Sequence, residues 1–136
     1  MLPDERVAAP LAGGKLAPPA AGLVVVEWKI DTGGSDPPLY IAPLHIHHSD
    51  DEAWYVLEGT LRFRLGDDEV EASAGDAVMA PQGTVHTFWN PRPEVARYLL
   101  VMTARISALI DAMHAPGAPQ PDEVFRRHDS ELIGWP

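Results

Sequence analysis

The chain has 136 residues, enough for one domain around a single core and too few for a second of ordinary size. Its hydrophobic fraction of 46% and charged fraction of 22% are those of a folded globular protein. Twenty acidic against ten basic residues leave a formal charge of -10, a field that repels nucleic-acid phosphates. The absence of cysteine removes disulfides, thiolate metal sites, iron–sulfur clusters and cysteine nucleophiles, so any metal must be held by nitrogen and oxygen.

Asp4 and Glu5 stand where a secretory leader would be basic, and no apolar run approaches the roughly 18 residues that a membrane span needs. A cytoplasmic protein that engages neither membrane nor nucleic acid is expected. Residues 1–22 are rich in Pro, Ala and Gly with almost no periodicity, which predicts a flexible N-terminal arm. Residues 23–102 then read as a run of short strands punctuated by Gly and Pro. In Leu23 to Asp31, Val24, Val26, Trp28 and Ile30 share one side while Val25, Glu27, Lys29 and Asp31 share the other, the pattern of a half-buried strand.

Another extended run begins at Tyr40 and reaches His47. Leu61, Phe63 and Leu65 alternate with Arg62 and Arg64 before a turn at Gly66 to Asp68, which predicts a hairpin. The two arginines either reach into the interior to anchor an anion or form a solvated face. Val70 to Ala72, Ala77 to Ala80, Thr84 to Trp89 and Val95 to Met102 complete an all-β antiparallel sandwich or barrel. In residues 103–136 the period changes: Ile106, Leu109, Ile110 and Met113 mark one helical face, ended by Pro116 and Gly117. A second short helix is predicted from Asp122, and the final SELIGWP is apolar enough to pack back on the barrel.

Four of the six histidines fall in two stretches, HIHHSDDE from His45 and GTVH ending at His86. His45 and His47 point to one face of a strand and His48 to the other. Glu52 follows across a polar turn, and His86 lies in a strand segment able to close against them. Three imidazoles and a carboxylate converging inside a barrel suit a divalent first-row ion with positions left for substrate. His114 and His128 lie in the helical tail, where a helix-end or surface role is expected. Trp54, Val56, Phe88 and Met79 are read as core, with a cavity wall or dimer face as the alternative.

The stretch HIHHSDDEAWYVLEG, His45 to Gly59, resembles the first cupin motif, and GDAVMAPQGTVHTFWN, Gly75 to Asn90, matches the second at Gly75, Pro81, Gly83, His86 and Asn90. Leu39 stands where the first motif usually begins with Gly. The resemblance implies a cupin jelly-roll barrel of six to eight strands with short C-terminal helices. It makes His45, His47, Glu52 and His86 the ligands of one divalent metal ion (Fe, Mn, Ni, Co or Zn). Resemblance to quercetinase-like members implies a metal-dependent dioxygenase acting on a small aromatic or enolic substrate, with Glu52 as general base. A metal-dependent isomerase, cyclase or decarboxylase, or a non-catalytic small-molecule-binding cupin, is the alternative. A homodimer is also expected, formed through an exposed sheet edge such as Leu23 to Ile30.

Overall fold

The computed structural model describes residues 4–136, so the first three residues of the expected arm lie outside it. Two five-stranded antiparallel sheets face each other. One sheet is ordered β1 (Lys15–Leu16), β2 (Leu23–Ile30), β9 (Ala96–Thr103), β4 (Glu52–Glu58), β7 (Ala77–Ala80). The other is ordered β10 (Ser130–Gly134), β3 (Leu44–His47), β8 (His86–Trp89), β5 (Thr60–Leu65), β6 (Asp68–Ser73). This is the expected all-β jelly roll, with the short helices α1 (Ala104–His114) and α2 (Pro121–Arg127) appended.

Alternation along the strands builds the core. Inward residues of three neighbouring strands lie in register: Val24 and Glu52 flank Met102, Val26 and Trp54 flank Leu100, and Trp28 and Val56 flank Tyr98. Nearly all are buried, so the strand period of two becomes a continuous apolar layer. The facing sheet adds Leu61 and Phe63 from β5 and Phe88 from β8. Trp54, Phe63, Phe88 and Tyr98 interlock with ring centroids 5.1–5.7 Å apart, the spacing at which edge-to-face and offset rings attract. Trp54, Val56 and Phe88 are thus core residues, whereas Met79 is 56% exposed on the outer face.

The hairpin of β5 and β6 forms as expected. Its arginines settle on the solvent reading: Arg62 is exposed beside Glu69, and Arg64 donates to the Gly66 carbonyl. Gly59, between β4 and β5, has φ +75°, and a Cβ there would run into the Val95 carbonyl. Only glycine meets both conditions.

Three segments differ from expectation. Lys15 and Leu16, inside the expected arm, pair with Val26 and Val25, and Gly14 extends the contact by accepting from the Glu27 N–H. Consequently Leu23–Ile30 is not a free edge: β9 lies on one side and β1 covers part of the other. The expected helical extension also contains a strand, since β10 pairs with β3 at Ser130–His47, Glu131–Ile46 and Leu132–His45. With β1 and β10 included, the strands number ten among the described residues.

Helix α1 starts where Thr103 caps it, its side chain accepting from the Ile106 N–H at 3.2 Å. Ile106 and Leu109 are buried, and Ile110 and Met113 are half-buried along the same face. Helix α2 carries Asp122 and Glu123 in its first turn and Arg126 and Arg127 in its last, and buries Val124 and Phe125. Among the described residues no helix is long and apolar enough to cross a membrane.

Candidate metal centre

His45 and His47 lie two apart on β3, so the pleat turns both rings inward, and His48 points outward with its side chain 45% exposed. The register places His45 opposite His86 on β8, and Glu52 begins β4 in the opposing sheet. His45, His47, Glu52 and His86 are all buried, and one ligand atom from each lies within 4.8 Å of the others. The structure therefore brings together the whole expected set. His114 and His128 stay outside it, each bonding by Nδ1 to a carbonyl one helical turn back.

Each imidazole in the cluster is held by its outer nitrogen. His45 Nδ1 donates to the Pro43 carbonyl at 2.6 Å and His86 Nδ1 to the Thr84 carbonyl at 2.8 Å. His47 Nδ1 bonds the Ser130 hydroxyl at 2.7 Å. A carbonyl only accepts, so a neutral ring bonded this way carries its proton on Nδ1 and turns the Nε2 lone pair to the centre. Burial first, then the charges of His86 and His47, lower the His45 pKa to about 3, so this ring is neutral at pH 7. Burial pushes the Glu52 carboxyl up, but the neighbouring His47 and His86 imidazoles outweigh it and hold the group at about 2, a carboxylate at pH 7. Burial, reinforced by the Glu52 charge, raises the Tyr98 phenol above its ordinary value.

These facts test whether a cation fits. His86 Nε2 lies 2.9 Å and His47 Nε2 3.6 Å from the same Glu52 Oε1. With the rings neutral and anchored through Nδ1, lone pairs would face a carboxylate in a dry interior, so the centre calls for positive charge, either a proton on Nε2, as in the 2.9 Å His86–Glu52 bond, or a bound cation. His47 Nε2 is moreover buried with no hydrogen-bond partner. Three imidazole nitrogens and one carboxylate oxygen are a donor set accepted by Zn, Fe, Mn, Co and Ni. The residues fit one divalent ion.

A cavity of about 960 Å³ opens onto the cluster, with His45, His47 and Glu52 in its wall. Apolar groups dominate the rest, among them Trp28, Trp54, Phe88, Leu100, Ile106 and Phe125. Lys29 is the one Lys or Arg in the wall among the described residues, and its ammonium lies 3.2 Å from Asp31. The extension thus adds Ile106 and Phe125 to the wall, and the Phe125 ring stands 5.3 Å from that of His45. Neither Ser130 nor Phe125 carries a sequence signal for its place, because each reaches the site from a segment remote from both histidine stretches.

The cupin-domain family model matches residues 26–102. No curated protein matches the chain. Among solved structures, a conserved protein with a double-stranded β-helix domain from Klebsiella pneumoniae is 28% identical, with a TM-score of 0.51, over 60% of this chain and 67% of that one. A cupin 2 conserved barrel domain protein from Rhodopseudomonas palustris is 25% identical with a TM-score of 0.54, over 65% of this chain and 56% of its own. A sugar phosphate isomerase of the cupin superfamily from Silicibacter pomeroyi is 26% identical with a TM-score of 0.53. The match covers 61% of this chain but 51% of that protein. With the motif residues, the two facing sheets and the family match in agreement, the chain belongs to the cupin family.

Proposed function

We propose that this cupin is a metal-dependent dioxygenase acting on a small aromatic or enolic substrate. The observation that carries the reading is the apolar cavity ending on a buried cluster of three histidines and a glutamate. A volume of about 960 Å³ accommodates a ring system, and the half-buried Trp28 offers an aromatic surface beside it. The wall has one lysine, already paired, so it offers little to a phosphate and favours a neutral or singly charged substrate.

His45, His47, Glu52 and His86 would hold the ion. When bound, it would supply Lewis acidity toward a substrate oxygen and, if redox-active, the means to engage dioxygen. Glu52 is anionic at pH 7 and borders the cavity, so it is placed to accept the proton of a phenol or enol hydroxyl. The apolar side chains of the wall lower the water content around that step.

The test is oxygen consumption by purified protein loaded in turn with iron, manganese, nickel and cobalt, offered flavonols and catechols. Uptake that depends on metal and is lost in Glu52→Gln supports the dioxygenase. The Silicibacter neighbour motivates a second reading, non-oxidative isomerisation in the same cavity. Conversion of an enolic substrate without oxygen uptake would replace the first reading with the second.

A further inference from the structure

We propose that Ser130, in the C-terminal extension, is a positioning residue for the metal centre, fixing the proton and ring orientation of His47. The inference rests on the reading that the cluster holds a divalent cation. His45 and His86 are each anchored by a carbonyl two residues earlier in their own chain segment, Pro43 and Thr84. Those contacts are local and form with the strands themselves. The outer nitrogen of His47 instead bonds a hydroxyl 83 residues away.

That hydroxyl has a defined direction. Ser130 Oγ donates to the His128 carbonyl at 3.0 Å, so its oxygen is left to accept the proton of His47 Nδ1 at 2.7 Å. The relay makes His47 an Nδ1–H tautomer and turns Nε2, which has no hydrogen-bond partner, toward Glu52. Ser130 is 3% exposed, so water has little access to take its place.

The rest of the extension holds the serine where the relay needs it. Ser130 is the register partner of His47 across β10 and β3. Next to it, the Asp129 carbonyl accepts the His48 N–H at 3.0 Å. Arg105 of α1 ties Asp129 at 3.0 Å to Asp50, in the turn between His47 and Glu52, at 3.5 Å. Docking of the extension and preparation of His47 are therefore one event. By reciprocity, a cation at the centre steadies β10 as much as β10 steadies the cation site.

The experiment titrates the metal-free full-length protein with Co²⁺, following both affinity and the visible ligand-field spectrum, for the wild type, Ser130→Ala, Ser130→Thr and His86→Ala. Far-ultraviolet circular dichroism checks that each is folded. Loss of a hydrogen bond to a ligating histidine lowers metal affinity about 10–100-fold. Ser130→Ala should show that loss with an altered Co²⁺ spectrum, while Ser130→Thr, which restores a hydroxyl, recovers both. If Ser130→Ala matches the wild type, or if the threonine variant is as weak as the alanine one, the hydroxyl is not the determinant and the inference is overturned. In either case a His86→Ala protein that has lost Co²⁺ leaves the metal centre standing. Should His86→Ala bind as the wild type does, the metal reading itself fails.

Discussion

At the scale of single residues, burying the cluster sets a cost on acid. In the metal-free protein, burial and then the neighbouring imidazoles place His45 at about 3, against about 6.5 in an unfolded chain. Between those values the unfolded state binds the extra proton, so stability is lost as the pH falls through that window. Glu52, held at about 2, contributes stability that is complete above its unfolded value of about 4.3 and disappears as pH falls toward 2. Both act in the same direction. Chelator-treated protein should therefore melt at progressively lower temperature from about pH 6.5 to about pH 4, and His45→Asn should flatten that decline. An unchanged slope in the variant would assign the acid sensitivity elsewhere. The four cluster residues were legible in the sequence because strand parity groups His45 with His47 and because the two motifs fix Glu52 and His86. Ser130 was not. One serine in a polar tail has no distinguishing pattern, and its partner is 83 residues distant.

At the scale of elements, alternation was legible where a strand has one wet and one dry face. β2 and β5 show it, and their inward residues are those that the period of two selects. Three strands escaped. β4 lies unmarked between the polar turn after His47 and Gly59. β1 is two residues long, too short for any period to register. β10 turns Ser130, Leu132 and Gly134 toward the protein, and two of those three are residues that a search for apolar alternation passes over. The bend joining β4 to β5 is set more tightly. Gly59→Ala combines an unfavourable positive φ with a collision against the Val95 carbonyl. It should cost more than about 1 kcal/mol of folding free energy, measured by urea denaturation. A loss within experimental error would mean that the backbone relaxes there at no cost.

At the scale of the whole molecule, two sheets and a C-terminal extension converge on one small volume. β3 and β8 bring the histidines, β4 brings the carboxylate, and the extension closes part of the cavity wall with Ile106 and Phe125. Because ligands so far apart in the chain meet only in the folded state, a bound cation stabilises the fold as a whole. At a free concentration one hundred times its dissociation constant the gain is about 2.7 kcal/mol. The most direct measurement is the metal content of purified, metal-reconstituted protein, by elemental analysis after exhaustive dialysis, for the wild type and His86→Ala side by side. Close to one equivalent of divalent metal per wild-type chain, with most of it lost in the variant, is the result expected. Negligible metal in the wild type, or equal retention by the two proteins, would contradict the assignment of His45, His47, Glu52 and His86 as a metal centre.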